Sequence, residues 1–141
     1  MKSYDAAVIG AGVLGCFAAR SLCRYSLSTV LIEAQADVCM GITRANSAIV
    51  YSGCDNKPGS VKARMCVQAN RNFHELCAEL DVPFSRCGSL MTSCGEKGNA
   101  TLRRKYADGI ANGLEDLELI SGDEARKLEP LLSSSVPSIF F

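Results

Sequence analysis

The sequence predicts an α/β fold that begins with a parallel βαβ unit. A short apolar run over 4–10 (YDAAVIG) ends in glycine, and an alanine- and leucine-rich stretch follows over 13–25. A second apolar run over 29–33 (TVLIE) ends in an acidic residue. Short apolar runs bounded by glycine are typical of buried parallel strands, and such a strand, helix and strand form a right-handed crossover.

The rest of the chain predicts further helices and strands in alternation. A loop is expected over 34–47, a short extended piece over 48–52 and a turn over 55–59. Ser60 is expected to cap a long helix to about position 81. One face of that helix is expected to carry the apolar side chains Met65, Ala69, Phe73, Leu76, Cys77 and Leu80.

Shorter elements are expected in the second half of the chain. They are a strand over 86–94, a helix over 99–112 ended by Gly113, and a strand over 117–120. A capping box over 121–124 opens a short helix that Pro130 closes. The final SIFF resembles the start of another strand with two exposed phenylalanines. We therefore expect the sequence to be the front part of a longer protein.

Charge and hydropathy argue against a nucleic-acid or membrane surface. The 141 residues include 15 basic and 15 acidic side chains, 48% of the residues are hydrophobic, and no apolar run approaches the length of a membrane span. The one short basic run, over 103–105, is expected on the solvated face of a helix. We predict no nucleic-acid partner.

The cysteines indicate a reducing compartment. Eight cysteines occur without a Cys-x-x-Cys pair, and several occupy apolar helix or strand positions, where a reduced thiol acts as a small hydrophobe. His74, the one histidine, is expected at the surface of a helix, so no metal site is predicted. The expected location is the cytoplasm, and a peripheral position at the inner face of a membrane stays open.

The glycine turn between the first strand and the first helix predicts a dinucleotide site. Residues 10–15 (GAGVLG) fit G-x-G-x-x-G: the first glycine allows a tight turn, the second admits a pyrophosphate, and the third lets helix and sheet approach. Glu33, at the end of the next strand, can accept hydrogen bonds from a ribose. A bare packing turn is the alternative. A lipidation box ending at Cys16 is argued against by Asp5 and by the glycines that interrupt the apolar run.

A second stretch, residues 41–66 (GITRANSAIVYSGCDNKPGSVKARMC), carries a resemblance. It resembles the second flavin-contacting segment of the D-amino-acid-oxidase-like FAD oxidoreductases. Within them it is most similar to the FAD-dependent glycerol-3-phosphate dehydrogenases and the L-2-hydroxyglutarate dehydrogenases or oxidases. The words RCGSL at 86–90 and NGL at 112–114 extend the resemblance along the chain.

The resemblance implies FAD as cofactor and a small-molecule substrate. It implies hydride transfer to FAD from a substrate carbon that bears a hydroxyl or an amine. It implies an incomplete Rossmann-like FAD-binding domain over 1–80 and the beginning of a substrate or cap region over 81–141. The implied cofactor contacts are Gly10, Gly12, Val13, Leu14 and Gly15 at the pyrophosphate, Glu33 at the ribose, and Thr43, Arg44, Asn46, Ser47 and Ile49 along the remaining cofactor.

Several functional points stay open on the sequence alone. Glycerol 3-phosphate is the first substrate expected, L-2-hydroxyglutarate is the second, and a non-catalytic nucleotide-binding fragment is the alternative of another class. No catalytic residue or electron acceptor is assigned, because the family's substrate-gripping residues lie mostly beyond position 141, and the segment alone is not expected to turn over substrate. These families often have a histidine where this chain has Tyr51, and a tyrosine is not a base near neutral pH. The neighbouring Cys54 is expected to be a buried thiol without a redox role.

Overall fold

The computed structural model describes residues 2–134, 136 and 138–140, with side chains described up to 136. It divides into two compact units, Met1–Ile49 and Val50–Phe141. Each unit is described separately below. Of the terminal SIFF, Phe141 and the phenylalanine side chains predicted to be exposed lie outside the described residues.

The first unit contains the βαβ arrangement that the sequence predicts. Strand β1 (Ala6–Ile9) and strand β2 (Thr29–Ile32) pair in parallel, in a register that runs from Ala6 opposite Thr29 to Ile9 opposite Ile32. Helix α1 (Val13–Leu22) connects them. The carboxylate of Asp5 accepts hydrogen bonds from the Ser28 N–H at 2.9 Å and from its hydroxyl at 2.6 Å, which joins the starts of the two strands.

The segment after β2 is a loop, as predicted, but it continues further than expected. Residues 48–52 form no strand among the residues that the structure describes, and Ala48 has a φ of 55°. This angle lies in the left-handed region, which is incompatible with an extended strand at that residue. The expected extended piece is therefore wrong at its first residue.

The second unit begins with the long helix α2 (Val61–Glu79), and its predicted cap is confirmed. The Ser60 hydroxyl accepts a hydrogen bond from the Ala63 N–H at 3.1 Å. The predicted face is confirmed in part: Cys77 is buried and Phe73 and Leu76 are half-buried. Met65, Ala69 and Leu80 are exposed, and Ala63 and Val67 are buried instead. The physical reason is the close approach of the backbone at Gly53, whose added Cβ would lie 3.0 Å from the Val67 side chain.

The remaining elements of the second unit form a small antiparallel sheet with two helices. They are β3 (Leu90–Thr92), α3 (Gly95–Ala111), β4 (Glu118–Ile120), α4 (Gly122–Leu128) and β5 (Ser138–Phe140). Strand β5 lies between β3 and β4 and pairs antiparallel with both. The predicted capping box of α4 is confirmed, since the Ser121 side chain and the Glu124 side chain each accept from the other's backbone N–H.

Helix α3 begins four residues before the predicted start, and β3 is shorter than its predicted strand. The first turn of the helix contains Gly95 and Gly98, and glycine is unfavourable within a helix. Gly98 allows α3 to approach Ser93 closely, because a Cβ added at Gly98 would lie 2.8 Å from the Ser93 Cβ. The helix ends as predicted: Asn112 caps it and Gly113 follows with a φ of 84°.

The core of the second unit lies between α3 and β4. Leu102 and Leu117 are buried, and Met91, Tyr106 and Leu114 pack against them. Gly109 is buried in α3, and an added Cβ there would lie 2.3 Å from Leu117 Cδ1. The absence of a side chain at 109 therefore allows the helix to approach this core closely.

Candidate functional site

The turn between β1 and α1 has the backbone shape that the glycine motif predicts. Gly10 has a φ of 94°, and its N–H donates to the Ile32 carbonyl at 2.7 Å, so the turn leaves the sheet next to the end of β2. Gly12 caps α1 without a side chain. The first intrahelical hydrogen bond runs from the Cys16 N–H to the Gly12 carbonyl at 2.9 Å. The earlier N–H groups of Leu14 and Gly15 therefore have no acceptor in the helix and can bind an anion.

Gly15, the third glycine of the motif, is required because a side chain at this position would clash with the turn. An added Cβ at Gly15 would lie 1.8 Å from the carbonyl oxygen of Gly10, far inside van der Waals contact. The atom in the way belongs to the backbone, so a rotamer change cannot relieve the clash. Helix α1 can lie against the turn only because residue 15 has no side chain.

Glu33 joins the end of β2 to the glycine turn. One carboxylate oxygen accepts from the Ala11 N–H at 2.6 Å and the other accepts from the Gln35 N–H at 2.9 Å. These hydrogen bonds, with that from Gln35 contributing most, lower the pKa of the Glu33 carboxyl below its ordinary value of 4.5. The Ala34 backbone makes a smaller contribution of the same sign, and since a carboxylate has about four acceptor positions, acceptor capacity remains for a ribose hydroxyl.

Thr43 brings the loop after β2 to the start of α1. Its hydroxyl accepts a hydrogen bond from the Val13 N–H at 3.0 Å, which supplies the side-chain cap that Gly12 lacks. A Cβ added at Gly12 would lie 3.3 Å from the same oxygen. The second glycine of the motif thus gives room to Thr43 as well as to a ligand.

Asn46 organises the loop itself. Its amide nitrogen donates to the Thr43 carbonyl, and its amide oxygen accepts from the Ala48 N–H at 2.7 Å. The second hydrogen bond supports the positive φ of Ala48, a conformation that residues with a side chain rarely adopt. The position is therefore one at which the amide shapes the backbone, and it retains one N–H for a ligand.

The structure brings together some of the eleven candidate residues and leaves others apart. Gly10, Gly12, Val13, Gly15, Glu33 and Thr43 surround the turn by the contacts given above. Leu14 and Ile49 are exposed, at 84% and 64% of their surface. Arg44 and Ser47 are also exposed on the loop, and the Arg44 guanidinium lies 3.9 Å from the Met40 sulfur.

Sequence reasoning missed Ala11, whose peptide is the centre of the turn. The side chain is completely buried, and the N–H donates to Glu33. The carbonyl accepts from the Cys39 N–H at 2.9 Å and from the Cys16 thiol at 3.4 Å. A backbone group leaves no signal in residue types, so the motif pointed only to the glycines on either side.

The other side chains singled out in the sequence lie outside this turn. In the second unit, Cys54 is buried, and burial raises the pKa of its thiol, which confirms the prediction of a buried, unactivated cysteine. His74 is exposed on α2, and Tyr51 is exposed as well. Arg103 and Arg104 are exposed as predicted, whereas Lys105 is half-buried and forms an ion pair with Asp55.

The described residues contain neither a metal-binding cluster nor a membrane-spanning helix. Within residues 2–134, 136 and 138–140, no group of three or more His, Cys, Asp or Glu side chains is arranged to hold a metal ion. In the same part of the chain, no helix is both long and apolar enough to span a membrane.

These features define the class of protein to which the chain belongs. A parallel βαβ unit with a glycine turn at the start of its helix and a carboxylate at the end of its second strand is a dinucleotide-binding unit. Residues 5–141 match the family of FAD dependent oxidoreductases designated DAO. The chain is therefore a member of this FAD-dependent family, and the resemblance found in the sequence is confirmed.

The chain is also similar in sequence to individual dehydrogenases. The chain is 41% identical over 138 residues to a glycerol 3-phosphate dehydrogenase of Caloramator mitchellensis, covering 98% of the chain and 29% of that protein. It is 32% identical over 131 residues to the mitochondrial L-2-hydroxyglutarate dehydrogenase of Homo sapiens, covering 92% of the chain and 28% of that protein. The chain thus spans less than a third of the length of these relatives.

Solved structures share the fold. Dithionite-reduced L-alpha-glycerophosphate oxidase from Mycoplasma pneumoniae with FAD bound superposes with a TM-score of 0.87 at 26% identity, covering 99% of this chain and 37% of that one. Glycine oxidase from Bacillus cereus has a TM-score of 0.74 at 20% identity, covering 99% and 38%. The second likeness concerns the fold alone.

Proposed function

We propose that this chain is the FAD-binding front portion of an oxidoreductase that takes a hydride from a hydroxyl-bearing carbon of a small substrate. The observation that carries the proposal is the hydrogen bond of 2.6 Å from the Ala11 N–H in the glycine turn to the Glu33 carboxylate. In this proposal, residues 1–80 belong to the FAD-binding domain and residues 81–141 begin the substrate region. The protein acts in the cytoplasm.

The residues of the turn fit the adenosine and pyrophosphate end of FAD. A Cβ added at Gly10 would meet no atom within 4 Å, so the space beside this glycine is open to a ligand. The N–H groups at the start of α1 suit a pyrophosphate, and the positive end of the helix dipole adds to that attraction. The acceptor capacity left on Glu33 suits a ribose hydroxyl, and its charge would repel a 2′-phosphate.

The remaining cofactor contacts are assigned to the start of α1 and to the loop after β2. Leu14 offers at the pyrophosphate an N–H that has no acceptor in the helix, and Val13, whose N–H donates to Thr43, is assigned to the same phosphates by its position. Thr43 and Asn46 hold the loop beside them. The exposed side chains of Arg44, Ser47 and Ile49 are assigned to the middle and ring of the cofactor. When bound, FAD supplies the hydride acceptor, and this chain's residues bind and orient it.

Glycerol 3-phosphate is the substrate that we propose first. The support is the 41% identity to a protein named glycerol 3-phosphate dehydrogenase and the likeness to a glycerophosphate oxidase. L-2-hydroxyglutarate is the second candidate, because several relatives at about a third identity carry that name. Both molecules carry a secondary hydroxyl and an anionic group, so the same chemistry serves either.

Anaerobic titration of the purified full-length protein tests this function. We expect a flavin absorbance spectrum that bleaches on addition of glycerol 3-phosphate. Bleaching by L-2-hydroxyglutarate instead would select the second substrate. A colourless protein that binds NAD, or a flavin that neither substrate reduces, would refute the proposed oxidoreductase activity.

The cofactor site is tested separately with Glu33→Gln. The amide keeps the size of the side chain but removes its charge, so we expect FAD affinity to fall by about tenfold or more. Glu118→Gln is the matched control, since Glu118 is exposed on β4 in the other unit and should leave FAD affinity unchanged. Equal FAD affinity for Glu33→Gln and the control would remove Glu33 from the site.

A further inference from the structure

Two cysteines from different segments contact the carbonyl oxygen of Ala11 in the glycine turn. Cys16 lies in the first turn of α1 and Cys39 lies in the loop after β2. The Cys39 N–H donates to the Ala11 carbonyl at 2.9 Å, and the Cys16 thiol donates to the same oxygen at 3.4 Å. Both residues are half-buried free cysteines, and both lie against the same carbonyl oxygen.

The backbone at Cys39 is held in an uncommon conformation. Its φ is 58°, in the left-handed region that residues with a side chain seldom occupy. The hydrogen bond from its N–H to Ala11 holds the residue there, beside Cys16. The loop is thus positioned so that Cys39 and Cys16 share the Ala11 carbonyl as acceptor.

We propose that Cys16 and Cys39 form a dithiol site that a small disulfide oxidant, such as oxidised glutathione, converts into an intramolecular disulfide. The site is independent of which substrate the protein oxidises. Once formed, the bond would link the loop after β2 to the first turn of α1, next to Ala11, whose N–H donates to Glu33 and whose carbonyl accepts from the Cys16 thiol.

The reaction proceeds by two thiol–disulfide exchanges. Deprotonated Cys16 attacks one sulfur of oxidised glutathione, which forms a mixed disulfide and releases one glutathione. Deprotonated Cys39 then attacks the Cys16 sulfur and releases the second glutathione. The two protein thiols are oxidised, one oxidant molecule is reduced to two glutathiones, and the two thiol protons leave with them.

Cys39 is assigned the second step because its raised pKa leaves a smaller fraction of this residue as thiolate. Partial burial raises the pKa of the Cys39 thiol, and the nearby Cys16 thiol and the charges of Asp37 and Glu33 raise it further. A thiol attacks as thiolate, so a raised pKa slows attack by Cys39 on an oxidant in solution. The same thiol can still react once Cys16 holds the mixed disulfide next to it.

The expected physical effect is stabilisation of the first unit. A covalent link between 16 and 39 encloses β2 and Glu33 in a closed loop and restricts the unfolded chain. We therefore expect the oxidised protein to unfold and to release its flavin at a higher temperature than the reduced protein. Flavin fluorescence, which increases on release, gives this measurement independently of activity.

The test uses the full-length FAD-loaded protein treated with oxidised glutathione, alkylated and digested for mass spectrometry. We expect a cross-linked peptide pair that contains Cys16 and Cys39, and loss of two alkylatable thiols. Cys16→Ser and Cys39→Ser should each abolish the pair and the rise in the temperature of flavin release. Cys23→Ser is the matched control: Cys23 caps the same helix and is exposed, so both effects should persist.

A second reagent tests the site without an exchange reaction. Phenylarsine oxide bridges two adjacent thiols through arsenic with release of one water molecule, so wild type and Cys23→Ser should bind it at Cys16 and Cys39. Cross-links to other cysteines, or exposed cysteines modified by glutathione while Cys16 and Cys39 stay reduced, would overturn the proposal. An oxidised wild type that releases flavin at the same temperature as Cys39→Ser would also overturn it.

Discussion

The Glu33 carboxylate and the Ala11 N–H are joined by a hydrogen bond of 2.6 Å, which ties the end of β2 to the middle of the glycine turn. A second hydrogen bond, from the Gln35 N–H at 2.9 Å, fixes the other carboxylate oxygen. The carboxylate is therefore oriented before any ribose arrives. Preorientation of this kind reduces the entropy that a ligand loses on binding.

The first prediction concerns the pH dependence of stability. The backbone hydrogen bonds lower the pKa of Glu33 in the folded protein below 4.5, so its stabilisation is complete above that pH. As the pH falls through the lowered pKa, the carboxyl becomes protonated and the stabilisation is lost. Urea unfolding of wild type and Glu33→Gln at several pH values should show a difference in unfolding free energy that is largest near pH 7 and shrinks in acid. A difference that is constant with pH would contradict this role.

The second prediction concerns Gly15→Ala. Its Cβ would lie 1.8 Å from the Gly10 carbonyl oxygen, so α1 must move away from the turn. We expect a loss of unfolding free energy of about 3 kcal/mol or more, together with a loss of bound FAD. Gly41→Ala is the stability control, because its Cβ would meet no atom within 4 Å. Comparable melting temperatures for the two variants would show that the approach of helix and turn is not needed.

Much of the site could be read from the sequence because its elements are local. The spacing of Gly10, Gly12 and Gly15 and the acid that ends β2 specify a turn, a helix start and a strand end within one short segment. Thr43 was also found, through resemblance, although its hydrogen bond to the Val13 N–H was not. Contacts between a side chain and a distant backbone group depend on the path of a loop, which residue types do not specify.

The buried face of α2 is a second feature that the sequence pattern predicts incompletely. Apolar periodicity predicted burial of Met65 and Leu80, but small residues carry the contact, and Gly53 approaches Val67. Close approach of backbone favours alanine and valine over larger apolar side chains. A stripe of large hydrophobic residues therefore does not identify the face that the described contacts bury.

The third prediction concerns the cap that Thr43 provides for α1. Thr43→Val keeps the shape of the side chain but removes the acceptor of the Val13 N–H, and should cost about 1 kcal/mol of unfolding free energy. Thr43→Ser keeps the hydroxyl and should retain most of that stability. Chemical denaturation of the three proteins measures the effect. A serine variant as unstable as the valine variant would assign the effect to packing instead of the hydrogen bond.

The fourth prediction concerns Asn112, which fastens the end of α3 to the turn before α2. Its amide nitrogen donates to the Gly53 carbonyl at 3.1 Å and to the Asn56 carbonyl at 2.9 Å. Asn112→Ala should cost about 2 kcal/mol of unfolding free energy, and Asn112→Asp should cost more because a carboxylate would face both carbonyls. Asn72→Ala, at an exposed position of α2, should change the unfolding free energy by less than about 0.5 kcal/mol. If Asn112→Asp unfolded at a higher temperature than Asn112→Ala, the amide would not be acting as a donor to these two carbonyls.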